Sequence, residues 1–203
     1  MSSSPPSSAD EPSTHWQQRK VILGVTGGIA CFKSAALVSA LAQAGAEVRV
    51  AMTPSAQRFV TPLTFQALSG QPVATGIWPG PDAGDCPHIR MARWADLLLI
   101  APATADCIAR LAAGICDDIV GLCAAALPAS TPVLLAPAMN EQMWQNPVTR
   151  RNLSTLGSLS GYHTVGPQSG WQACRTEGEG RMSETDEIME AAMKLLEEGT
   201  AAR

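Results

Sequence analysis

With 203 residues the chain is long enough for one well-buried domain and short for two, and 46% hydrophobic against 16% charged residues mark it as core-rich and globular. A net charge of -4 without any Lys/Arg run excludes broad nucleic-acid binding. No apolar stretch approaches the roughly 20 residues of a membrane span, so no membrane partner is expected either.

The first 18 residues, MSSSPPSSADEPSTHWQQ, are Ser/Pro-rich and lack the apolar centre of a signal peptide. They read as a disordered tail ahead of one domain over residues 19–198. Lys20 to Val25 opens that domain as a short strand, and the glycine turn TGGIA leads into a helix. The helix is expected to carry Ile29, Phe32, Ala36, Leu37, Ala40 and Leu41 on its apolar face and to stop at Gly45. Glu47 to Met52 alternates polar and apolar residues as a second strand and ends in Thr53-Pro54-Ser55. A helical piece spans Thr61 to Leu68, and a Pro/Gly/Asp-dominated loop runs from Gly76 to Pro87.

Next come His88, a charged turn and the unbroken apolar run Asp96 to Ala101. Such a run reads as a strand buried on both faces of a parallel sheet, interrupted here at Pro102. A helix with Ile108, Leu111, Ala112 and Ile115 follows, then another from Asp117 to Leu127. Thr131 to Ala136 is a further buried strand ending at Pro137, and a helical segment runs with one break from Glu141 to Leu156. Tyr162 to Val165 is expected to be the last strand. Gly166 to Arg181 has four glycines and no period, and a helix from Glu184 to Glu198 closes the chain. Strands alternating with helices predict a doubly wound, Rossmann-like (flavodoxin-like) parallel sheet in a single α/β domain.

Ligands of open α/β sheets bind beyond the carboxyl ends of the strands, which directs attention to three strand ends. Gly27 and Gly28 make a turn whose backbone N–H groups and helix dipole suit a phosphate, although the GxGxxG spacing of NAD sites is absent. Thr53 and Ser55 end the second strand, and Pro102 to Cys107, with Thr104, Ala105 and Asp106, end the central one. Their side chains suit hydrogen bonds to phosphate and flavin, and serve equally as helix caps. His88 titrates near neutrality and is either a proton carrier or structural. Asn140, after the strand ending APAMNEQMW, either caps a helix or presents its amide to a carboxylate. The six cysteines (Cys31, Cys86, Cys107, Cys116, Cys123, Cys174) contain no CxxC, so reduced thiols, a cytoplasmic compartment and no metal site are expected. Cys174 alone lies in a glycine-rich segment, where an accessible thiol can act as an acid.

HIRMARWADLLLIAPATADCIARLAAGICDDIV, APAMNEQMW and the ACxxxGxGRM segment together resemble the homo-oligomeric flavin-containing cysteine decarboxylases, in order and spacing over about Lys20 to Lys194. The phosphopantothenoylcysteine decarboxylase branch, which serves coenzyme A biosynthesis, is the most similar. The resemblance implies FMN near Gly27, Gly28, Ile29, Thr53, Ser55, Thr104 and Ala138. It also implies His88 as catalytic base, Asn140 on the substrate carboxylate with Met143 nearby, and Cys174 as the acid of the last step. Trimers, or multiples of trimers, with flavin sites between subunits are implied as well. Oxidising CH₂–SH creates a C=S electron sink that lets CO₂ leave, and returning the electrons makes the reaction redox-neutral.

The chain departs from the family pattern in three ways. Arg175-Thr176 replace a usual glycine and acidic residue, Cys31-Phe32 replace Ala-Tyr, and a fused synthetase domain is not expected, which places that activity elsewhere. The alternatives are a peptidyl-cysteine decarboxylase of lantibiotic maturation and an FMN-binding regulatory paralogue without catalysis.

Overall fold

The computed structural model describes residues 14–78 and 86–201. The expected tail up to residue 13, and residues 79–85 of the loop before Pro87, lie outside them. In chain order the elements are β1 (Lys20–Val25), α1 (Cys31–Gln43), β2 (Glu47–Met52), α2 (Pro62–Ser69), α3 (Pro87–Trp94), β3 (Leu97–Ala103), α4 (Ala105–Ala113) and α5 (Ile119–Ala126). They continue with β4 (Val133–Pro137), α6 (Glu141–Gln145), α7 (Pro147–Gly157), β5 (Tyr162–Thr164), β6 (Gln168–Trp171), β7 (Glu177–Arg181) and α8 (Thr185–Ala201). β1 to β5 form one parallel sheet in the order β2-β1-β3-β4-β5, with helices on both faces. This is the flavodoxin-like winding, and its order reverses between β1 and β3.

β3 sits in the middle with all seven residues buried. Because side chains alternate along a strand, its apolar run feeds two cores at once. Leu97, Leu99 and Ala101 pack in a core with Leu37 and Leu41 of α1 and Ile188 and Leu196 of α8. Leu98, Ile100 and Ala103 pack in the other, with Met91 of α3, Ile108 of α4, Val120 and Cys123 of α5 and Leu156 of α7. Each such Leu or Ile contributes about 1.5–3 kcal/mol by leaving water. Among the described residues no helix is long and apolar enough to cross a membrane.

Five expectations need correction. The structured chain begins ahead of residue 19: Thr14–Trp16 form a 3-10 turn, and Trp16, 4% exposed, belongs to the α1 core. The buried face of α1 is Cys31, Ser34, Leu37, Val38 and Leu41, whereas Ile29 and Phe32 stay 58% and 63% exposed. The face shifts because Ser34, polar by type, donates to Ala101 O at 2.7 Å and is satisfied inside the core. The strand does not stop at Pro102. β3 runs on to Ala103 through an irregularity between Ile100 and Ala103, the kind of place where a residue without an N–H is tolerated.

The charged turn carrying His88 is a helix, α3, with Pro87 in its first turn and Met91 and Ala92 inward. On the outside the Arg49 guanidinium stacks 4.1 Å from the centre of the Trp94 ring. Finally, the glycine-rich stretch after β5 is an antiparallel hairpin, β6 paired with β7, standing apart from the main sheet.

Candidate active site

A cleft of ≈ 1190 Å³ lies over the carboxyl ends of β1 to β4 and is bordered by the β6–β7 hairpin. Every residue singled out above except His88 lines it: Gly27, Gly28, Ile29, Thr53, Ser55, Thr104, Ala105, Asp106, Cys107, Ala138, Asn140, Met143 and Cys174. The cleft therefore sits at the point where the strand order reverses.

Thr26 ties the two central strand ends together. Its hydroxyl donates to Pro102 O at 2.6 Å and accepts from the Thr104 backbone N–H at 3.2 Å. Thr104 itself caps α4, its oxygen accepting from Cys107 N–H at 3.3 Å, and Thr53 accepts from Ala56 N–H at 3.2 Å. Ser55 makes no capping bond. Its backbone instead passes so close to the glycine turn that a Cβ on Gly27 would lie 2.3 Å from Ser55 Cβ. Asp106 binds Arg110, which reaches across to Asp117 at 2.6 Å. The Arg110 bond holds the Asp117 carboxyl below its ordinary range.

A second group of side chains joins the end of β4 to the hairpin. Asn140 Oδ1 accepts from Gln142 N–H at 2.9 Å, so this residue does cap α6. That bond also fixes the amide, turning Nδ2 toward Cys174 Sγ at 3.3 Å and Gln172 Oε1 at 3.4 Å. Gln172 is fixed in the same manner: Oε1 accepts from Glu141 N–H at 3.2 Å and Nε2 donates to Glu179 O at 3.1 Å. Sequence reasoning missed Gln172, a buried polar side chain that links two elements through its carboxamide. Its carboxamide two residues before Cys174, in the same glycine-rich segment, was the available signal.

The cleft's two thiols differ sharply. Cys107 is buried and pushed well above its usual range by burial first and then by Asp118 and Asp106. Cys174 is exposed and lies below the usual thiol range, because Thr176 and then Asn140 hydrogen-bond to its sulfur. Loss of the proton is thus favoured at Cys174 and opposed at Cys107.

His88 stands apart, in the first turn of α3, half-buried and outside the cleft lining. Its Nδ1 is shut off from solvent and has no hydrogen-bond partner among the described residues.

Comparison with known proteins draws on this whole surface. The Flavoprotein family matches residues 9–197. The coenzyme A biosynthesis bifunctional protein CoaBC of Haemophilus influenzae is 46% identical over 174 residues, covering 85% of this chain and 42% of its own length. That of Bacillus subtilis is 47% identical over 184 residues, covering 91% and 45%. The chain thus spans less than half the length of these curated relatives. Among solved structures, a mutant PPC decarboxylase complexed with pantothenoylaminoethenethiol superposes with a TM-score of 0.77 at 30% identity, over 90% of this chain and 100% of that one. The FMN-dependent cysteine decarboxylase SpaF gives 0.77 at 27% identity, over 91% and 99%. The match takes in the sheet, the cleft and the hairpin alike, and on that ground the chain belongs to the Flavoprotein family.

Proposed function

We propose that this chain is an FMN-dependent decarboxylase that converts 4′-phosphopantothenoylcysteine to 4′-phosphopantetheine and CO₂, a step of coenzyme A biosynthesis. The names of the CoaBC relatives and the likeness to a PPC decarboxylase support the substrate class. The observation that carries the reading is the junction of Asn140 with Cys174 at the edge of the cleft. An amide N–H₂ able to bind a carboxylate and an acidified thiol stand 3.3 Å apart, which is the pair such a reaction needs at its end.

The residues present fit FMN. Close approach of the glycine turn to Ser55 leaves no room for a side chain on Gly27, so backbone N–H groups line that part of the cleft. Gly27, Gly28, Ile29, Thr53, Ser55, Thr104, Ala105, Asp106, Cys107 and Ala138 would hold the group. When bound, FMN supplies reversible two-electron oxidation of the substrate's CH₂–SH group.

The chain's own side chains do the rest. Asn140 binds and orients the carboxylate through Nδ2, with Met143 beside it. His88 takes up a proton as the thiol end is oxidised. Cys174 delivers a proton to carbon after CO₂ has left. The place of His88 outside the cleft supports a homo-oligomer in which a second copy brings the histidine to the flavin, and the family resemblance implies a trimer or a multiple of trimers. In this reading the decarboxylase unit takes in the Thr14–Trp16 turn together with residues 19–198 and works in the cytoplasm.

The alternative is decarboxylation of a peptide ending in cysteine, since SpaF, an FMN-dependent cysteine decarboxylase, matches with the same TM-score. The test is a parallel assay of CO₂ release from phosphopantothenoylcysteine and from a cysteine-ending peptide, together with identification of the flavin released on denaturation. FMN and a kcat/KM far higher for phosphopantothenoylcysteine are expected. Preference for the peptide selects the alternative, and NAD or FAD in place of FMN refutes both.

A further inference from the structure

The sulfur of Cys174 has three polar side-chain neighbours, and they are not equivalent. Gln172 Oε1, at 3.5 Å, can only accept, so it holds the S–H and has nothing to offer the sulfur once the proton is gone. Asn140 Nδ2, at 3.3 Å, can donate, but its other hydrogen is directed at Gln172 and its oxygen at Gln142. A substrate carboxylate arriving at Asn140 therefore competes with the sulfur for the same N–H. Thr176 Oγ1 is closest, at 3.0 Å, and a hydroxyl both accepts and donates.

The backbone keeps Thr176 there. Its carbonyl accepts from Gln172 N–H at 2.8 Å, and the Gln172 carbonyl accepts from Arg175 N–H at 2.9 Å, closing the turn from both sides. Thr176 is thus the one side-chain donor among the described residues that stays with the sulfur while Asn140 is occupied, beside the backbone N–H groups of Cys174 and Thr176.

We propose that Thr176 is a positioning residue for the acid of this site: its hydroxyl holds the Cys174 sulfur and donates to it as the proton leaves. The inference rests on the decarboxylase reading for its chemistry. In the last step the S–H bond breaks, its electron pair stays on sulfur, and the proton forms a C–H bond on the decarboxylated product. The hydride for the neighbouring carbon is the electron pair removed in the oxidation that began the reaction. The thiolate left behind is what Thr176 stabilises, and a hydrogen bond to a charged acceptor is the stronger kind. The downward displacement of the Cys174 thiol, with Thr176 as first cause, agrees with this. The other charged groups on the surrounding elements are Glu141 on α6, Arg175 in the turn, and Glu177, Glu179 and Arg181 on β7. They are left unchanged in the test.

The test uses the flavin-loaded full chain and no substrate. Alkylation of Cys174 by iodoacetamide is followed across pH by mass spectrometry of the peptide that contains it. Thr176→Val keeps the branched shape and removes the hydroxyl. It is expected to slow alkylation near neutral pH by about three- to tenfold, the equilibrium weight of one hydrogen bond, and to move the midpoint upward. Thr176→Ser is expected to restore both. A residue that merely shaped the turn would, when altered, loosen it and speed alkylation. An unchanged or faster reaction in the Val variant, or a Ser variant that behaves like Val, overturns the proposal. Failure of the decarboxylase reading is recognised separately, because wild-type protein would then release no CO₂ from phosphopantothenoylcysteine whatever the alkylation shows.

Discussion

Arg175 shows how a single residue can carry the mark of a departure from its family. Its φ is 66°, in the left-handed region that favours glycine. Glycine is what the resembled decarboxylases usually place there, and in this chain the arginine bears the strain of the left-handed turn. Arg175→Gly should therefore firm the closed turn by about 0.5–1 kcal/mol, the left-handed cost less the entropy glycine loses on folding. Amide exchange at Gln172 and at residue 175, whose N–H groups close the turn, is the measurement. Slower exchange at both is expected. At Thr176 the replacement is chemical rather than conformational, since a hydroxyl can donate to the thiolate where a carboxylate could only repel it.

Among the elements, the β6–β7 hairpin depends on backbone contact more than on burial of side chains. Met139 N–H donates to Gly180 O at 2.9 Å, and a Cβ on Gly180 would lie 2.2 Å from Met139 O, at φ +140°. Gly180→Ala is therefore expected to lift the hairpin off the end of β4, by about 2 kcal/mol or more. Cys174 should then lose its bond from Asn140, and the product-forming step should slow while bound flavin is retained. Normal kcat and flavin content together would show that docking of the hairpin is not needed.

The same contrast explains what the sequence could reveal. The apolar run of β3, the alternation in β2 and the helix caps are local signals, and β1, β2, β4, β5, α2, α6 and α7 lie close to where those signals put them. The hairpin has no apolar alternation to read, because Gly178 and Gly180 are there to let backbones approach Glu141 and Met139. α3 is short and rich in arginine, and its inward face is little more than Met91 and Ala92. Gly27, Gly28, Thr53, Ser55, Thr104, Ala105, Asp106 and Cys107 could be collected from strand ends because the flavodoxin-like winding itself brings those ends together, whereas Ile29, Ala138 and Met143 came only with the family resemblance. The meeting of Asn140 with Cys174 and Gln172 spans more than thirty residues and follows no period.

For the whole molecule, the open question of scale is whether one chain holds a complete site. Exposed Ile29, Phe32, Met143 and Trp171 border a cleft that lacks the histidine. As the family resemblance implies, an assembly of three copies or a multiple of three is expected by sedimentation of the flavin-loaded protein. His88→Asn should keep the flavin and the assembly state, because it alters none of the side chains lining the cleft, yet lower CO₂ release by about a hundredfold or more, the weight of a lost general base. Near-normal turnover in that variant would make His88 structural.

Redox neutrality distinguishes the proposed reaction from an ordinary flavin oxidation, and one experiment addresses it directly. Phosphopantothenoylcysteine is mixed with the purified protein in the absence of oxygen, nicotinamide cofactor or any other oxidant, and CO₂ and products are counted over many turnovers. One CO₂ and one phosphopantetheine per substrate consumed, continuing well beyond the amount of flavin present, is the expected result. No CO₂, or CO₂ that stops at one equivalent per flavin until an oxidant is added, would contradict a site that oxidises, decarboxylates and then returns the electrons.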